Sequence, residues 1–333
     1  MTSPEAQTKK PIVKPKQATS TPSQQPTPNV KLWSPSQLDV PAYMMNFPFT
    51  WDTDAPNNVW MTGMSAEQLD ENWQKAYQQW MDLYNLMAGE ALVYVMPSDG
   101  DFGDQVYVAN IGIILNHLPK PVAVVANFKS PPRKGEEGPG RKIFTMMGYP
   151  VKRPEFTWEG EADLKHVRDN IYVGGYGIRT DRRAYDWFER EFDMKVIRVK
   201  MTDDKLYHFD CQFFPLTAEK ALVCTSIMEK SEIAQIEKVC EIIPVSLRLA
   251  HAGTTNSVRL VNNVICGSSL KALGPKDKDY DDEVLKENFL RSVCAKNGME
   301  PIFCNISEFE KSGAATSCLV CHLNRAAYSQ PLI

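Results

Sequence analysis

At 333 residues with 43% apolar side chains, the chain is long enough to bury one large core or two small ones. A net charge of −4 and a pI near 5.8 leave no basic footprint for nucleic acid, and no apolar run approaches the length that spans a bilayer. Eight cysteines, all after residue 210, are too sparse for a small disulfide framework and imply a reducing, cytoplasmic setting.

Residues 1–40 are rich in Pro, Ser, Thr, Gln and Lys and hold almost nothing that could bury surface, which predicts a disordered tail. The tail has no apolar stretch of the secretory kind, and Glu5 with scarce arginine argues against a transit peptide. A single domain is then expected over 41–330. Within 66–87, Leu69, Trp73, Ala76, Tyr77, Trp80, Leu83, Tyr84 and Met87 recur at helical spacing and predict one amphipathic helix. Apolar, β-branched runs predict strands at 91–95, 106–115, 121–128 and 171–173. A helix over 181–192, a strand at 221–225, a helix over 231–242 and a strand over 258–266 follow. Asp181 and Ser231 are able to cap the two helices. A last helix over 282–296 stops at Asn297-Gly298, a good C-terminal cap. The alternation predicts an α/β architecture. Polar residues punctuate it at Asn58, Asn110, Asp163, Asp210, Asn256 and Cys318, about fifty residues apart, as a ring of similar modules would require.

Three motifs carry chemistry. Cys318 follows Gly313-Ala314-Ala315-Thr316-Ser317, small residues that let the backbone bend and expose a thiol. Taken singly, a buried inert cysteine is the commoner outcome. His208 and Asp210 stand two apart, so on a strand they would share one face. A histidine beside Phe209 is otherwise most often a packed core residue. Trp158-Glu159-Gly160-Glu161-Ala162-Asp163 offers carboxylates from a loop, where most acids are only solvated. Cys318 and Cys321 form a CxxC, but no second pair stands at zinc spacing, so neither metal nor cofactor is called for. Together the motifs fit covalent opening of a guanidinium group. That resonance-stabilised carbon needs a thiolate nucleophile, carboxylates to grip the planar cation, and an acid/base to protonate the leaving amine. The same carboxylates raise the resting pKa of the thiol, so a bound cation would itself promote ionisation.

In this order and with these flanks, the motifs resemble the pentein superfamily of guanidine-modifying enzymes, most closely its arginine dihydrolase branch. The matching stretches are Glu159 to Asp163, His208 to Leu216, Ser307 to Gly313 and Cys318-Leu319, joined by Asp104 to Asn110, Arg133 to Glu136 and Gly177 to Thr180. The likeness runs from about Asn46 to Leu323. It implies a five-module, pseudo-fivefold α/β propeller with its site in the central channel. Cys318 would be the nucleophile and His208 the acid/base, oriented by Glu159 or Asp163. Asp210 would bind the guanidinium, with Asn58, Asn110, Arg133, Arg179 and Asn256 lining the rest. Deiminases and dimethylarginine hydrolases carry Asp at position 110. Asn110 suits a neutral ureido intermediate and so points to two rounds of hydrolysis, giving ornithine, ammonia and carbon dioxide. Phe209, Gln212-Phe213-Phe214, Ala314-Ala315 and Val59 depart from the family pattern around these motifs without removing a reactive group. The expected partner is a small guanidino substrate, with no nucleic acid or membrane, and a homo-oligomer is compatible with this reading. Single-step deimination or methylarginine hydrolysis is the alternative. A catalytically dead binding module, as in the ribosome anti-association factor of this fold, is the alternative of another class.

Overall fold

Fifteen short strands among the described residues pair into five three-stranded sheets built on one plan. The computed structural model describes residues 34–100 and 102–329, so most of the predicted tail, positions 1–33, lies outside the described residues. In each sheet a central strand pairs antiparallel with one neighbour and parallel with the other. The parallel partner is reached through a crossover helix.

The first module has β1 (Ala42–Asn46), helix Trp73–Ala88 and β2 (Leu92–Met96). The second has β3 (Gly112–Leu115), β4 (Val122–Val125), helix Glu137–Met146 and β5 (Val151–Lys152). The third has β6 (Leu164–Arg168), β7 (Ile171–Tyr176), helix Arg182–Glu191 and β8 (Lys195–Lys200). The fourth has β9 (Phe213–Pro215), β10 (Lys220–Val223), helix Lys230–Ile236 and β11 (Glu241–Pro244). The fifth has β12 (Val258–Arg259), β13 (Asn263–Gly267), helix Tyr280–Lys296 and β14 (Glu300–Cys304). The first module lacks an antiparallel strand of its own and takes it from the other end of the chain. There, β15 (Cys321–His322) pairs with β1 through Tyr43–His322 and Met44–Cys321. The ring therefore closes by strand exchange between its first and last segments.

Burial follows the same plan. Five apolar clusters each straddle one module boundary. Met44 packs with Ile114 and Phe144, Ile113 with Tyr172 and Phe188, Val173 with Phe213, Phe214 with Val264 and Leu290, and Trp51 with Phe309. No module has enough apolar surface to form a core alone, so each is stabilised by its neighbours.

The sequence expectations err where two periods compete. The helix expected over 66–87 is two helices, Ala66–Leu69 and Trp73–Ala88, because Asn72 caps the second by accepting from Lys75 N. The run 106–115 is strand only from Gly112; before it lie two 3-10 turns, Gly103–Val106 and Val108–Asn110, buried from Gln105 onwards and therefore without an exposed face to reveal their period. The helix expected over 231–242 ends at Ile236, and 241–244 is strand β11. The run 258–266 folds back as the hairpin of β12 and β13. Helix Glu137–Met146 gives no sequence signal, since Gly138-Pro139-Gly140 breaks its first turn. Positions 34–40 are pinned: the Asn324 amide donates to the carbonyls of Pro35, Leu38 and Val40.

Candidate active site

Each module ends its approach to the inner, antiparallel strand in a tight turn, and these turns carry the candidate residues. Asn110 precedes β3, Glu159 and Asp163 flank the turn Gly160–Ala162 before β6, and His208 and Asp210 frame Phe209–Cys211 before β9. Asn256 precedes β12, and Cys318 sits in Thr316–Leu319 before β15. The turns pack so closely that a Cβ on Gly160 would lie 2.3 Å from Ala109 O, and φ there is +76°. Only glycine fits that approach.

A cavity of about 290 Å³ opens over these turns, and Cys318, His208, Asn110, Arg133 and Arg179 all line it. His208 Nε2 lies 2.8 Å from Glu159 Oε2, both side chains being buried. An ionised carboxylate only accepts, so Nε2 carries a proton and Nδ1 is left to work. Between the two carboxylates left open by the sequence, Glu159 is therefore the one that holds the imidazole. Asp163 instead accepts from Phe209 N (3.0 Å) and Thr180 Oγ1 (2.6 Å), which fixes the His208 turn itself. Glu159 also accepts from the backbone of Lys129 and Ser130 and from Arg179 Nη1. Burial alone would raise its pKa, but the His208 hydrogen bond and the Arg179 charge outweigh that and hold the carboxyl well below its ordinary range. Asp163 shows the opposite balance: burial, reinforced by Glu159, pushes it up to about 6.

The thiol of Cys318 is pushed up to about 12, first by burial and then by the Asp210 carboxylate. Its sulfur lies 3.9 Å from Asp210 Oδ2 and 3.4 Å from Asn256 Nδ2. Asp210 is held by Ser317 Oγ at 2.5 Å, and Asn256 Oδ1 accepts from Ser317 N at 2.8 Å, so nucleophile and carboxylate are braced from one turn. A protonated resting thiol beside an acid is set to ionise when a cation arrives.

The expectation that His208 and Asp210 share a strand face is corrected. They lie on a 3-10 turn, and their side chains diverge, one to Glu159 and the other to Ser317 and Cys318. The expected loop acids Glu159 and Asp163 are buried rather than solvated. Asn58 caps the helix Val59–Thr62, accepting from Trp60 N and Met61 N and donating to Ser312 O, and it is its neighbour Asn57 that lines the cavity. Sequence reasoning also passed over Asp104, Tyr107, Tyr207 and Ser312 as lining residues. All four stand in or beside a motif: Asp104 and Tyr107 in 104–110, Ser312 in 307–313 and Tyr207 next to His208.

Arg133 is gripped bidentately by Glu136 (3.0 and 2.7 Å) and donates from Nη1 to Asn110 Oδ1 at 2.7 Å. Arg179 donates from Nη2 to Asn57 O and stacks 4.9 Å from the Tyr207 ring centroid.

A family model described as eukaryotic N,N-dimethylarginine dimethylhydrolase matches residues 45–325. The chain belongs to that family. Its relatives include the bifunctional arginine dihydrolase/ornithine cyclodeaminase AgrE of Nostoc sp., 25% identical over 280 residues, which are 83% of this chain and 37% of AgrE. The N(G),N(G)-dimethylarginine dimethylaminohydrolase of Mycobacterium tuberculosis is 32% identical over 139 residues, 41% of this chain and 44% of that protein. This chain thus spans well under half the length of these curated relatives. Among solved structures, a substrate-bound mutant of the N-terminal domain of ArgZ, an arginine dihydrolase of cyanobacteria, superposes with a TM-score of 0.74 at 22% identity, covering 86% of this chain and 98% of that one. A mutant dimethylarginine dimethylaminohydrolase, as an adduct with S-methyl-L-thiocitrulline, gives 0.63 at 16%, covering 85% and 99%. These likenesses establish the multi-module α/β pentein fold for this member of the dimethylarginine dimethylhydrolase family.

Proposed function

We propose that this chain hydrolyses a guanidino group by covalent catalysis on Cys318, and that its substrate is L-arginine taken through two rounds to L-ornithine, two ammonia and carbon dioxide. In the first round the guanidinium carbon is attacked by the Cys318 thiolate while Asp210 grips the cation. His208, held by Glu159, protonates the departing amine and then activates the water that releases a ureido product. Arg179 binds the substrate carboxylate. In the second round the same thiolate attacks the ureido carbon and expels ammonia, protonated by His208, and water then releases the carbamic acid of ornithine, which loses carbon dioxide.

The observation that carries the two-round reading is the orientation of Asn110. A guanidinium can only donate, so Arg133 fixes Oδ1 as the acceptor and turns Nδ2 towards Glu159 O and the His208 ring. With Oδ1 taken by Arg133, Asn110 offers the site only amide N–H groups, which suit a ureido oxygen better than a second all-donor cation. The test is product analysis with arginine: ornithine with two ammonia supports the reading, and citrulline accumulating without ornithine overturns it. Asn110→Asp is expected to cut ornithine yield about tenfold or more relative to citrulline, since losing one charge-complementary bond costs about 1.5–3 kcal/mol. The matched family description favours a second reading, single-step hydrolysis of a methylated arginine. Dimethylamine release from dimethylarginine, faster than ammonia release from arginine, would select it.

A further inference from the structure

The turns that hold Asn110, Glu159, His208 and Cys318 lead into β3, β6, β9 and β15, and a few residues further along these strands line a second cavity, of about 430 Å³ with the solvent at its mouth included. Its charges do not balance. Glu161 is the only carboxylate among its lining residues, and both of its oxygens are committed. Oε1 pairs with His322 Nδ1 at 2.6 Å, and Oε2 accepts from His322 N at 3.1 Å. Lys165, placed by β6, is only 8% exposed, yet no acceptor among the described residues lies within hydrogen-bond or ion-pair distance of its ammonium. Nε2 of His322 is buried and equally unpartnered. Arg325 joins them, with Nη2 on His166 O at 3.1 Å and its guanidinium 3.7 Å above the Tyr328 ring. Two cations, Lys165 and Arg325, therefore line this cavity against one carboxylate, and such an excess of positive charge favours an anion. A buried lysine, an arginine held rigid on a ring and an unsatisfied imidazole nitrogen converge on one space.

We propose that this cavity is a second binding site for a small oxyanion, held between Lys165 and Arg325. The carboxylate of an organic acid and inorganic phosphate share that chemistry. The proposal does not depend on which guanidino compound is hydrolysed.

Thermal denaturation of the full chain, titrated separately with phosphate and acetate at constant ionic strength, tests it. At least one anion is expected to raise Tm saturably by about 2–5 °C. The rise is lost in Lys165→Met, weakened in Arg325→Gln, and kept in Arg179→Met, which removes a cation from the Cys318 cavity instead. A rise with phosphate alone identifies an inorganic oxyanion, and with acetate alone a carboxylate. No rise with either anion, an equal rise in Lys165→Met, or loss only in Arg179→Met overturns the proposal. Should Lys165→Met fail to fold, the nitrogen NMR shift of His322 Nε2 in the unaltered chain decides: no saturable movement with either anion overturns it.

Discussion

The two cavities share the inner strands of one ring and handle charge in opposite ways. Over the Cys318 turn every cation is spoken for: Arg133 by Glu136, and Arg179 and His208 by Glu159. In the second cavity Lys165 makes no close ion pair, and the one lining carboxylate, Glu161, is hydrogen-bonded to His322 instead. A reacting site gains from charges fixed before substrate arrives, since nothing then reorganises in the transition state. A site that binds and releases an ion must keep a charge unspent. The difference arises from one choice in the third module. Both Glu159 and Glu161 meet a histidine brought by a distant turn, but only Glu159 also meets an arginine.

This contrast can be broken or sharpened, beginning where the effect is largest. Cys318→Ser should lower turnover of any guanidino substrate by about 10⁴-fold or more with Tm unchanged. Undiminished turnover would remove the covalent mechanism and with it the claim that this is the reacting end. Glu159→Gln should lower kcat about 10²–10³-fold with a smaller change in KM, because His208 keeps a partner but loses its charge. Its stability difference from the unaltered chain has a defined sign. Glu159 sits below its ordinary pKa of 4.5, so its contribution is present above pH 4.5 and fades as pH falls further. A gap in Tm that widens in acid would contradict the assignment. Gly160→Ala should destabilise by about 3 kcal/mol, read by denaturant unfolding, since the new Cβ meets backbone at a positive φ. Asp163→Asn has the smallest effect. Burial raises Asp163 from 3.8 to about 6, so the unaltered fold loses stability as pH rises through that window. The Tm of the variant, relative to the unaltered chain, should therefore increase between about pH 4 and 6. A flat difference would show that Asp163 is ionised throughout.

The residues of the candidate site were legible in the chain, while their contacts with one another were not. Cys318, His208 and Glu159 stand in contiguous motifs, and the recurrence at 58, 110, 163, 210, 256 and 318 pointed to a ring of modules, with six positions where the structure has five sheets. Asn58 was mistaken for a lining residue because Asn57 and Asn58 are chemically identical neighbours, and only the helix Val59–Thr62 consumes one of them as a cap. Asp104, Tyr107 and Ser312 stand inside the stretches 104–110 and 307–313, but nothing local says that their side chains line the cavity. Lys165 was invisible for the same reason. A lysine on a strand normally reaches solvent, and nothing local says that the ring will enclose it.

By itself the sequence determined the residue types, the alternation of strands and helices, and all but one of the crossover helices, because these follow from local periodicity and from chemistry written in contiguous residues. The tertiary structure alone decided which carboxylate meets His208, which way the Asn110 amide points and which cation makes no close ion pair. Each of those depends on a group from another module, delivered across the ring from 98 residues away in the case of Asn110 and His208, and closed at last by a strand borrowed from the far end of the chain.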